Sequence, residues 1–205
     1  MTSVFKLTPL EDTTLQKYHD TAIKDLNEFF GRKWLNNTPK IFVLDNRETI
    51  NLFQERETES WLVGFSMGNS VCILNPANIS RESSQDGSKY NIEKLIKHEM
   101  CHSFFQKTFG MTNFLWITEG VSIYVADQFD MFPIPSKFDG FLDGKKTYQE
   151  SGAIIKLLFD KYGKDKLFDF LKKQSGIKEM EELKTVFEGV FDAKLEYSFF
   201  ESLIH

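Results

Sequence analysis

Cysteine is scarce in this chain. Cys72 and Cys101 are the only two in 205 residues, and they stand far apart in sequence, so a disulfide framework is not expected. Positive charge is also in short supply: 25 Lys and Arg against 30 Asp and Glu give a net charge of −5. That balance supplies no basic face for nucleic acid or for an anionic membrane, and both are set aside as partners. No apolar run is long enough to span a bilayer, and Met1 to Phe5 do not open a basic, apolar and small-residue leader. The chain as written is expected to be soluble and cytoplasmic, in a reducing compartment; an exported protein whose leader precedes these residues would look the same. Internal repeats and low-complexity segments are lacking too. Histidine is rare, with four in all, and two of the four stand four residues apart.

What is present favours a folded domain. The chain is 41% hydrophobic and 15% aromatic, with 21 phenylalanines to fill a core, and its length suits one domain spanning residues 1–205. The periodicities predict an α+β chain. Residues 12 to 31 read as a helix capped by Asp12 or Thr13, buried along Leu15, Tyr18, Ala22, Leu26 and Phe29 or Phe30, and stopped at Gly31. His19 on that helix reads as a boundary residue. Strands are expected at Lys40 to Leu44, Trp61 to Phe65 and Val71 to Leu74, with a helical turn from Arg47 to Phe53 and a polar loop from Asn78 to Lys89. A helix capped by Asn91 then runs to Gly110. Thr118 is the expected N-cap of the next helix, which puts Glu119 in its first turn. Residues 129 to 147 are irregular, and from Tyr148 onward the chain reads as helices broken at Gly163 and Gly176.

Lys97-His98-Glu99-Met100-Cys101-His102 carries the chemistry. On a helix, His98 and His102 stack on one face, where two imidazole nitrogens can close on one metal ion. The stripe of Ile92, Leu95 and Ile96 continues through Glu99 and His102, so these polar groups turn toward the core. Burying them without partners is costly, and a metal offsets that cost. A five-residue match also arises by chance on an amphipathic helix, but two of four histidines falling in it and an acidic residue seventeen positions later count against chance. That residue, Glu119, completes a His₂Glu set of the kind found in catalytic zinc sites, which keep one place open for water. Taken alone, Glu119 is equally well explained as a carboxylate at a helix start. Cys101 points away from the histidine face and reads as a small core residue.

His-Glu-Met-Cys-His followed by Trp-Ile-Thr-Glu-Gly resembles the gluzincin metallopeptidases, above all the minimal peptidase MA-like members with a Trp-x-x-Glu-Gly block on the helix after the zinc helix. The block is also similar to that of the larger zinc aminopeptidases. The resemblance spans roughly residues 61 to 175. It implies a zincin-like fold, with a small mixed sheet on the zinc helix and a helical C-terminal part after residue 110. It also implies one zinc ion held by His98, His102 and Glu119, and peptide or protein as substrate. Tyr148, heading Tyr-Gln-Glu-Ser-Gly-Ala, is similar to the tyrosine that supports the oxyanion in those families; Tyr90 and Tyr124 lie nearer the ligands in sequence and compete with it.

The sequence departs from the family in three places. The interval from His102 to Glu119 is slightly shorter than in the large aminopeptidases. Position 123 is Ile where thermolysin-like members place an aspartate on a zinc-bound histidine; Asp127 is either a substitute or a solvated carboxylate. The N-terminus-binding motif of the aminopeptidases is not evident near Val63 to Ser70, so exopeptidase specificity does not carry over.

The mechanism implied has Glu99 take the proton of an attacking water and pass it to the leaving amine, with an extended substrate along Val71 to Leu74 and side-chain pockets near residues 129 to 147. Two other readings stand beside it. One is a zinc-containing domain that binds peptide or protein without cutting it; the other is a helical interaction module with no metal.

Overall fold

The computed structural model describes residues 4–204; Met1 to Ser3, the start of the stretch read above for a leader, lie outside the described residues. It is an α+β chain that divides into two compact units, one up to Met100 and one from Cys101. The division falls inside an unbroken helix.

The first unit opens with α1 (Thr13–Phe30). Asp12 caps it by accepting from the N–H groups of Thr14 and Leu15, both at 2.9 Å, and Gly31 ends it at φ 62°. Its buried face is Leu15, Ala22, Leu26 and Phe30; of the expected stripe, Tyr18 is only half-buried, and Phe30 rather than Phe29 is inside. Next come β1 (Lys40–Leu44), α2 (Arg47–Gln54), β2 (Gly64–Met67) and β3 (Ser70–Leu74). β2 begins three residues later than expected, because Trp61 lies in the turn before it. Gly68, at φ 59°, and Asn69 turn the β2–β3 hairpin, with Met67 facing Ser70.

The strand order is β1-β3-β2, with β1 parallel and β2 antiparallel to β3. β3 is therefore the central strand. Both of its edges are used, so an extended peptide cannot add along Val71 to Leu74, as the sequence had led us to expect. Within the stretch read as a loop, Pro76–Asn78 form a 3₁₀ turn and Ile79–Glu82 a short helix, α3, whose Ile79 is fully buried.

α4 (Ile92–Phe109) starts at Asn91, whose Oδ1 accepts from Lys94 N–H at 3.0 Å, and is followed by Gly110 at φ 88°. The expected single stripe understates its burial. Leu95, Ile96, His98 to Cys101 and Ser103 to Phe105 are all buried, so the helix is enclosed on most sides.

In the second unit, α5 (Leu115–Val125) packs along α6 (Thr147–Lys173), and α7 (Met180–Phe191) and α8 (Tyr197–Glu201) follow. Gly163, at φ 79° and ψ 171°, breaks α6 where the sequence placed a stop. Phenylalanines fill this unit: Phe141 meets Trp116 and Phe200 edge-on at 5.3 and 5.4 Å, and Phe187 lies 4.7 Å from Phe191. The irregular segment before α6 is pinned from within. The N–H groups of Asp139, Gly140 and Phe141 donate to the fully buried Glu150 carboxylate at 3.2, 3.1 and 3.0 Å.

Glycine sets the approach of α5 to α6. A Cβ on Gly120 would stand 2.6 Å from the Ser151 carbonyl oxygen, and one on Gly152 would stand 2.3 Å from Ile123 Cγ2. A methyl at Gly120 must push backbone aside, which costs about 1–3 kcal/mol. Gly120→Ala is therefore expected to lower stability in chemical denaturation by about that amount. Gly189→Ala on α7, where a Cβ meets nothing within 4 Å, is expected to raise stability by up to about 1 kcal/mol.

Candidate metal centre

The helix α4 presents His98 and His102 one turn apart, and α5 brings Glu119 to them. One donor atom from each of the three residues lies within 4.8 Å of the others. His102 Nε2 and Glu119 Oε1 are 3.7 Å apart. Two donors at ~2.1 Å from a tetrahedral ion are separated by ~3.4 Å, so the group is a little wider than a closed site and has the right donor types for zinc. His98 and Glu119 are 7% and 6% exposed, and the His102 side chain 17%. Burial of that order makes the cluster costly unless its charges are compensated, and a divalent cation compensates them.

Thr118 does not cap the helix. α5 begins at Leu115 after Phe114, so Thr118 lies inside it and Glu119 lies in the second turn. The earlier start also removes the simpler explanation of Glu119 as a carboxylate that satisfies a helix N-terminus. Instead, Thr118 Oγ1 lies 3.0 Å from His102 Nδ1, and Ser122 Oγ lies 3.4 Å from the same nitrogen. Sequence reasoning missed both hydroxyls. The signal was available: Thr118 and Ser122 are four apart and share a helix face once α5 is allowed to begin at Leu115.

Glu99, 7% exposed, follows the first histidine on α4. The edge strand β2 passes beside it, since a Cβ on Gly64 would stand 3.4 Å from Glu99 Cγ and 2.9 Å from Leu95 Cδ1. Its negative charge also reaches two weak acids. Burial first, and Glu99 second, push the Cys72 thiol up to about 12 and push the Tyr90 phenol up as well.

No family model matches the chain, and neither does any curated protein or solved structure. The site therefore stands on its own residues.

Tyr148 occupies the first turn of α6, with its ring 6.2 Å from that of Phe132. Asp127 follows α5 in a left-handed conformation, φ 53°, and Ile123 is fully buried. His19 bonds through Nε2 to the Pro39 carbonyl at 2.9 Å, as suits a boundary histidine. It lines a groove of about 990 Å³ along the outer edge of β1 in the first unit, whose wall includes Phe5, Leu7, Ile41 and Val43 and none of the three candidate ligands.

Burial raises the Cys101 thiol to about 12; the Glu119 carboxylate adds to that rise and a hydrogen bond with Ser122 opposes it. A thiol titrating that high stays protonated near neutral pH and is a poor ligand and nucleophile. Neither Cys72 nor Cys101 is expected to react with an alkylating reagent at pH 8 in the native protein, and both should react after unfolding. Mass spectrometry of the alkylated chain reads this directly.

Proposed function

We propose that this chain is a zinc-dependent peptide hydrolase of the gluzincin type, with a zincin-like fold around α4. The observation that carries the proposal is the convergence of His98, His102 and Glu119, with Glu99 next to the first histidine and against an edge strand. The likeness of the two sequence blocks to the minimal peptidase MA-like proteins supports the same reading.

Zinc, when held by His98, His102 and Glu119, supplies Lewis acidity toward the scissile carbonyl and the attacking water. Glu99 is the general base: its carboxylate accepts the proton of that water and delivers it to the amine that leaves. The substrate lies extended along β2, whose outer edge is free among the described residues, and its backbone pairs with the Gly64–Met67 strand. Gly64 leaves room there, because a side chain at that position would press on Leu95 and Glu99. A phenol donates to the oxyanion as it forms. Tyr148 takes this role by resemblance; Tyr90 competes because it lies within electrostatic reach of Glu99.

The deciding experiment compares zinc content and cleavage of a peptide library for wild type and Glu99→Gln. Both proteins are expected to hold one zinc ion per chain, and the variant should cleave about 10²–10⁴-fold more slowly. Zinc without cleavage in the wild type would instead mean a domain that binds peptide or protein and does not cut it. Absence of zinc from the wild type would leave a helical module with no metal.

Tyr148→Phe and Tyr90→Phe separate the two phenols. The oxyanion donor is the one whose loss lowers kcat by about 10²–10³-fold with KM little changed. If neither variant loses activity, neither of these two phenols has that role.

A further inference from the structure

We propose that Thr118 and Ser122 are positioning residues for His102, their hydroxyls holding its Nδ1 so that Nε2 faces the ion. This rests on the metal-binding reading of His98, His102 and Glu119. The geometry is direct: Nδ1 meets Thr118 Oγ1 at 3.0 Å and Ser122 Oγ at 3.4 Å, while Nε2 lies on the Glu119 side at 3.7 Å. One nitrogen of the ring faces the third ligand and the other faces two hydroxyls.

An imidazole that binds metal through Nε2 must keep its remaining proton on Nδ1. A partner that accepts this proton fixes both the tautomer and the ring plane, and such partners bear strongly on metal affinity. Thr118 Oγ1 is placed to accept it. Ser122, fully buried one turn later on α5, closes the other side of the ring edge. The two hydroxyls bracket Glu119 on the same helix, so one element supplies both the third ligand and the support for the second.

The position at which an aspartate would do this work, 123, is Ile. Its side chain is fully buried toward Gly152 of α6. A neutral support also suits the local charge. Glu119 as ligand and Glu99 as base already balance a divalent ion, and a third buried carboxylate would leave an excess negative charge in a poorly hydrated place.

Zinc affinity of the full chain, measured by competition with a chelating dye, tests the assignment in wild type, Thr118→Val, Thr118→Ser, Ser122→Ala and Thr118→Val/Ser122→Ala. Nitrogen NMR of the histidine side chains accompanies it. Thr118→Val, which keeps the shape and removes the hydroxyl, is expected to weaken zinc binding about 10- to 100-fold and to abolish the signature of a hydrogen-bonded Nδ1–H on His102. The double variant should be weaker still, and Thr118→Ser should restore both affinity and signature. Unchanged thermal stability of the metal-free proteins separates positioning from a general packing defect. Wild-type affinity in the double variant, or failure of Thr118→Ser to restore binding, overturns the proposal and leaves the metal site standing. A wild type that takes up no zinc overturns both.

Discussion

Four ionisable side chains drawn into a poorly hydrated place set the terms for the rest of this structure. His98, Glu99, His102 and Glu119 come from two successive helices, and each is largely withdrawn from water. Removing a carboxylate from water costs several kcal/mol even after relaxation, and nearby imidazoles repay that only if they carry protons. On the proposed reading, a divalent ion held by His98, His102 and Glu119 offsets that cost. On the proposed reading, binding the ion is therefore part of what stabilises the helices that carry its ligands, and affinity and fold stability rise together.

Holding Glu119 in place is a packing matter before it is an electrostatic one. Gly120 follows it directly, and the absent side chain lets α5 press against the Ser151 carbonyl; Gly152 returns the favour for Ile123. Two glycines thus bring the helix axes close at the point where the Glu119 side chain leaves α5. Glu150, one turn into α6, ties the preceding segment down through the N–H groups of residues 139 to 141. Its carboxylate lies at the positive end of that helix and satisfies donors that have no strand or helix of their own. Thr118 and Ser122, on the same turns as Glu119, then reach His102 without any additional element.

The parts of this arrangement that were legible in the sequence are those set by local spacing. The i, i+4 histidines, the Asp12 and Asn91 caps, the Gly31 and Gly163 stops and the limits of β1 follow from rules that span a few residues. Errors arose where a local rule had two answers. Thr118-Glu119 has the form of a cap followed by a first-turn carboxylate, but the helix begins four residues earlier, at Leu115 after Phe114, and buries Trp116 and Ile117 from its first turn. Ile79 falls in the stretch read as a polar loop, yet it is fully buried and heads the short helix α3. Other features depend on pairings that sequence order does not encode. The central place of β3 is one, and the capture of residues 139 to 141 by Glu150 is another. Both join segments through geometry rather than through neighbouring residues.

On the proposed reading, the central place of β3 changes where a substrate can lie. A strand with partners on both sides has no backbone groups left to offer, whereas β2 has one edge free among the described residues, and that strand passes Glu99 at Gly64. An extended peptide bound there has its backbone registered by β2, and Glu99 sits beside the same strand. On the proposed reading, registration and proton transfer are thereby coupled through one glycine. A larger residue at position 64 would disturb the strand edge and the base together, so it would be felt in kcat as well as in KM. On the proposed reading, Cys72 and Tyr90, both driven toward their neutral forms by burial and by the charge of Glu99, do not compete with that base for the proton of the water near neutral pH.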